Sequence, residues 1–109
     1  MAAYYLGIDV SKGYADFTVI DENHNTVEPA FQLDDTFEGH RQLYQVLTRL
    51  LEAAPNAKLF AAVESTGGYE NNWVAALWRF QRSLPVEVAR LNPARVSDHA
   101  KAKYGQLEF

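Results

Sequence analysis

Cysteine is absent from the 109-residue chain, which excludes a disulfide framework and thiolate chemistry and fits a reducing compartment. Long apolar runs are missing as well: no stretch approaches the roughly 20 residues that a membrane-spanning helix needs. The N-terminus, "MAAYYLGIDV", has no basic region and does not read as a signal peptide. Repeats, low-complexity tracts and linkers are lacking too. Histidine is scarce and scattered, at His24, His40 and His99, which argues against a histidine metal cluster. These absences predict a cytoplasmic protein with a single domain, 1–109, because this length suits one compact unit and not two.

Positive charge is in short supply. The formal net charge is −4, which does not advertise a nucleic-acid binder. Its distribution is uneven, however: residues 1–89 hold 6 Lys/Arg against 12 Asp/Glu, whereas 90–103 hold Arg90, Arg95, Lys101 and Lys103 against Asp98 alone. That short basic stretch reads either as a solvated helix or as a phosphate-contacting one. Apolar residues, by contrast, make up 48% of the chain and aromatics 13%, enough to build a core and to exclude a disordered chain.

Periodicity divides the chain into elements. Tyr4–Val10 is apolar on both faces, as a central strand is. Lys12-Gly13 is a turn, Tyr14–Ile20 alternates as a second strand, and "DENHN" (Asp21–Asn25) is a polar turn. Thr26–Leu33 makes a weaker strand in which Pro29 marks an edge or a bulge. Leu43, Val46, Leu47, Leu50 and Leu51 then recur at helical spacing, with Asp35 and Glu38 resembling a capping box and Pro55-Asn56 ending the helix. Lys58–Val63 is too short for a helix and reads as a buried parallel strand. Trp73, Leu77, Phe80 and Leu84 mark a second helix, Pro85–Leu91 a fifth strand, and Asn92-Pro93 the start of a third helix. Right-handed crossovers place helix-linked strands side by side. The predicted fold class is α/β: a mixed five-stranded sheet between helices, order 3-2-1-4-5, in the ribonuclease H-like (RuvC-like) arrangement.

In that topology Asp9, near the carboxyl end of the first strand, adjoins Glu64, which closes the fourth. Tyr5, Gly7 and Asp9 share one face, as do Phe60, Ala62 and Glu64. Two carboxylates meeting at one sheet end repel unless a proton or a cation intervenes. Oxygen ligands without cysteine favour Mg²⁺ or Mn²⁺ over zinc. The plainer readings are that Asp9 caps the following turn and that Glu64 merely ends its strand. Ser11 and Lys12 read either as ordinary turn residues or as groups that orient Asp9 and steady a phosphate. The amides of Ser65-Thr66-Gly67-Gly68 are placed to cap a helix or to meet a phosphate. Tyr69 reads as packing on the sheet or stacking on a base, and Trp73, Trp78 and Phe80 as core or interface.

Three motifs carry a resemblance. "GIDVSK" (Gly7–Lys12), "ESTGGYE" (Glu64–Glu70) and "NPARVSDHAKA" (Asn92–Ala102) resemble the DEDD transposases of the IS-one-ten family, relatives of the pilin-gene-inverting recombinase. The resemblance implies a RuvC-like nuclease fold and metal-dependent cleavage and transfer of DNA strands. Asp9 and Glu64 would be the first two of four acidic metal and catalytic ligands, binding Mg²⁺ or Mn²⁺. It further implies DNA as partner and a guide RNA in some members. The residues themselves offer Lys12, Arg95, His99, Lys101 and Lys103 as phosphate contacts, and a homo-oligomer is a further expectation. The aspartate pair that supplies the last two ligands has no counterpart, nor does the family's carboxyl-terminal domain. The expectation is therefore an inactive amino-terminal portion of a longer enzyme. A second resemblance uses the same hairpin. "LGIDVSKGYADFTVIDENHN" is similar to the first phosphate loop of actin-like sugar kinases, which implies Asp9 on Mg·ATP and Ser11–Gly13 around the phosphates; the hairpin turn has one glycine, and no glycine-rich adenosine loop follows.

Overall fold

Side-chain alternation sets the first sheet pairings. In the computed structural model, which describes residues 2–64 and 67–91, Ala3–Ser11 forms β1 and Tyr14–Asp21 forms β2. The Lys12-Gly13 turn joins them with Ser11 opposite Tyr14, so Gly7 faces Thr18 and Asp9 faces Asp16. Gly13 takes φ 88°, a conformation open to glycine at no steric cost. At the far end Asp21 accepts backbone N–H bonds from Asn23 and Asn25 at 2.8 and 3.0 Å, and this side-chain-to-backbone turn starts β3, Thr26–Asp34. β3 is an edge strand and carries an extra residue at Pro29-Ala30, opposite Thr18. Pro29, with no N–H to give, sits where the ladder is already interrupted.

The remaining elements are α1 (Phe37–Ala53), β4 (Lys58–Glu64), α2 (Asn71–Phe80) and β5 (Val86–Leu91). The sheet order is β3-β2-β1-β4-β5, as the sequence predicts, with β1 parallel to β4 and β4 parallel to β5. One face of the sheet presents Leu6, Ile8, Val10, Phe17, Val19, Leu59 and Val63 to Leu43, Leu47, Trp73, Val74 and Leu77 of the helices. Among the described residues both helices lie on this face, rather than one on each. Phe17 is fully buried at its centre, stacked 5.0 Å from Phe31 and edge-on 5.2 Å from Trp73. Trp78 is not part of the core: it is 57% exposed.

The helix starts also differ from expectation. Thr36, not Asp35, caps α1: its Oγ1 accepts the Gly39 N–H at 3.0 Å. Asp35 is engaged elsewhere, and Glu38 binds Arg41 instead of the cap backbone. At α2 the flanking residue Glu70 makes no cap bond to the helix. Its buried carboxylate accepts the Gly68 N–H at 3.0 Å and lies 3.6 Å from the Arg90 guanidinium of β5. Tyr69, just ahead of it, is half-exposed. Among the described residues no helix is long and apolar enough to cross a membrane. The third helix expected from Asn92, the residues Arg95, His99, Lys101 and Lys103, and Ser65-Thr66 lie outside the described residues.

Candidate functional site

The face of the sheet away from α1 and α2 holds a groove of about 360 Å³. Gly7 of β1, Thr18 of β2 and Ala30 of β3 line it, together with Asp9, Asp16, Gln32 and Glu64. Glycine and alanine contribute little or no side chain here, which is what leaves the hollow. Asp9 and Glu64 reach it from neighbouring strands. The last β1–β4 pair is Ile8 with Val63, so each acid stands one residue beyond that pair, at the carboxyl end of parallel strands. The structure therefore brings these two sequence candidates to one groove. Lys12 is exposed at the adjoining hairpin tip.

Asp16 is a third acid of this groove, and the sequence reading did not single it out. The signal was present. A two-residue turn pairing Ser11 with Tyr14 fixes Asp9 opposite Asp16 on the same face. Like charges directly opposite one another on adjacent strands are destabilising. At the roughly 5 Å typical of such pairs the repulsion is about 1 kcal/mol even at the dielectric of water. Gln32 Nε2 donates to Asp16 Oδ1 at 3.0 Å and takes up one of its oxygens. Among the described residues no three His, Asp or Glu side chains stand close enough to form a ready-made metal cage. The donor set still fits a hard divalent cation: Asp9 is exposed and Glu64 part-exposed, both offer oxygen, and a small cation that keeps several waters needs only one or two protein carboxylates.

Comparison with known proteins bears on the resemblances. No protein-family model matches the chain, and no curated protein matches it. Among solved structures the chain is similar to the Aquifex aeolicus member of the Ppx/GppA protein family, with a TM-score of 0.48 and 13% identity over 100% of this chain and 42% of that one. It is similar also to an Aquifex aeolicus PPX-GPPA enzyme, with a TM-score of 0.39 and 15% identity over 83% of this chain and 36% of that one. The chain thus spans less than half of each of these two structures.

These findings correct the first resemblance. The two solved structures named above are Ppx/GppA proteins and not transposases. The assignment to the DEDD transposases is overturned, and with it go the transposase activity and the DNA recombination it implied. The physical reason lies in the motifs themselves. "GIDVSK" and "ESTGGYE" encode a strand end, an acid and a turn, features that place a ligand site at the carboxyl ends of strands whatever its chemistry. Two such motifs specify the architecture of a site more firmly than its chemistry.

Proposed function

We propose that the chain is a phosphate-binding lobe of the actin-like kind, holding a nucleoside triphosphate as its Mg²⁺ complex at the Asp9–Glu64 groove. The single observation that carries this reading is that Asp9 and Glu64, at the carboxyl ends of neighbouring parallel strands, line one groove, which Asp16 also lines, beside a glycine-bearing hairpin tip. Negative charge gathered beside a phosphate loop makes sense when a cation stands between the two. Asp9 and Glu64 are the residues that would hold it, and Asp16 would add negative charge beside it. A bound divalent cation would neutralise phosphate oxygens and polarise the terminal phosphoryl group.

The chain's own residues supply the rest. Lys12 offers a point positive charge at the mouth of the groove. Gly13, free to hold φ 88°, lets backbone amides of the Ser11–Gly13 turn approach phosphate oxygens closely. Gly7 and Ala30 leave room for the ligand over the sheet. The sheet order suits a ribonuclease H-like and an actin-like domain equally. Whether the groove serves transfer or hydrolysis depends on the parts of the enzyme that face it.

The test is calorimetric titration of the 109-residue chain with ATP in Mg²⁺ and in EDTA, alongside melting with Mn²⁺. The expected outcome is Mg²⁺-dependent ATP binding and a Mn²⁺ stabilisation, both lost in Asp9→Ala and Glu64→Ala. Equal melting shifts in wild type and both variants would remove the metal from these acids. No ATP binding in any condition would refute the nucleotide.

A further inference from the structure

Asp35 lies on the helix-covered side of the molecule, outside the groove, yet it bonds to both of the segments that follow the two groove acids. Its backbone N–H donates to the Gly13 carbonyl at 2.9 Å, in the hairpin tip that follows Asp9. Its carboxylate Oδ2 accepts from Asn72 Nδ2 at 3.2 Å, in the first turn of α2, the helix that follows Glu64. The other oxygen, Oδ1, lies 2.7 Å from His40 Nε2. An ionised carboxylate only accepts, so the imidazole carries its proton on Nε2 in this contact. The Asp35 and His40 side chains are 13% and 14% exposed, and the His40 ring stands edge-on to Trp73 at 4.6 Å.

We infer that Asp35 is a positioning residue that holds the hairpin tip and the head of α2 in one fixed relation. Three features set it apart from an ordinary residue at a helix start. The cap is already supplied by Thr36, so the Asp35 carboxylate is free for longer-range bonds. Its three partners come from three places in the chain: the β1–β2 turn, α1 and α2. The junction it belongs to is clamped from below as well, because Gly39 sits so close that a Cβ there would lie 1.8 Å from the Asp34 carbonyl oxygen. A charge-assisted, part-buried hydrogen-bond set of this kind fixes geometry more firmly than exposed pairs do. The consequence for phosphate binding rests on the function proposed above; the mechanical coupling of the two segments does not.

Amide hydrogen exchange on the metal-free chain tests the coupling directly. The amide of residue 35 reports the bond to the hairpin tip, and those of Gly68 and Asn71 report the head of α2. In Asp35→Ala these amides should exchange roughly tenfold faster than in a Leu50→Ala control that loses stability at the far end of α1. Asn72→Ala, which removes one exposed partner, should quicken the same amides to a smaller extent. Asp35→Asn should restore protection, since its amide still accepts from Asn72 and can donate to the other His40 tautomer. Acceleration that is uniform over the chain, or confined to one of the two segments, would overturn the inference. The metal arm separates it from the phosphate reading. If wild type shows a Mn²⁺ shift, the apparent affinity should fall about tenfold in Asp35→Ala, as for groups that orient metal ligands. A wild type blind to Mn²⁺ counts against the phosphate reading, and the exchange result then decides the coupling alone.

Discussion

Replacing Gly39 by alanine tests the packing of the β3–α1 junction through the sign of a single number. In an ordinary helix the change is favourable by up to about 1 kcal/mol, because alanine loses less conformational freedom on folding. Here the new methyl would meet the Asp34 carbonyl oxygen at 1.8 Å and its carbon at 2.9 Å, where real Cβ contacts stay beyond 3.0 Å. Backbone, unlike the tip of a flexible side chain, cannot swing aside. Asp34 is paired with Tyr14, and the next residue donates to Gly13. The junction must therefore retreat from its own sheet. Overpacking of this kind costs about 1–3 kcal/mol, and a weakened backbone hydrogen bond adds about 1 kcal/mol. After the helical gain the variant should be less stable by about 1–3 kcal/mol. For a domain of this size that is a fall of roughly 4–12 °C in Tm, read by circular dichroism and checked against urea midpoints. A Tm that is unchanged or raised would refute the close approach and the clamp built on it.

Two further outcomes follow from the same structure. Phe17→Ala should cost about 3–5 kcal/mol, because the ring is fully buried between Phe31 and Trp73; a loss under about 1 kcal/mol in urea denaturation would mean that the core is centred elsewhere. The backbone bonds that Asp21 accepts, chiefly from Asn25 and also from Asn23, hold its carboxyl below its ordinary range, and the hydrogen bond from Arg41 does the same for Glu38. Their folded values lie below the unfolded ones, so the stability they contribute is whole above about pH 4 and fades as pH falls through the folded values. Carboxyl NMR titration should place both midpoints below those of free aspartate and glutamate, and midpoints at or above them would contradict the bonding seen here.

Much of the architecture is readable in the residues because short turns and periods leave few alternatives. The Lys12-Gly13 turn forces an antiparallel pair, and the helical spacing from Leu43 to Leu51 demands a crossover, which brings β4 beside β1. The proline that demoted β3 to an edge or bulge has both features around it. What escaped reading was whatever depends on competition between neighbours. Asp35 and Thr36 both suit a helix cap, and the winner is set by His40 and Asn72, which no local window includes. Trp78 stands four residues past the buried Val74, a spacing that with its bulk invites a buried assignment; it lies one residue past Leu77, which takes the core-facing position, and is left 57% exposed. Asp16 was implicit in the hairpin register but only when the turn is counted residue by residue. The chemistry was the least legible, since acid–turn motifs of this kind serve many phosphate-handling proteins alike.

The irregular outer strand has one more effect. A sheet whose last ribbon is straight and unbroken invites a stranger to lie alongside it and continue the hydrogen-bond ladder. In β3 the kinked stretch around Pro29 removes a donor and throws the spacing out of step within a few residues of either end. Self-association by ribbon addition is thereby discouraged on this flank without the need for a covering helix, and the acidic groove beside it stays open to small ligands.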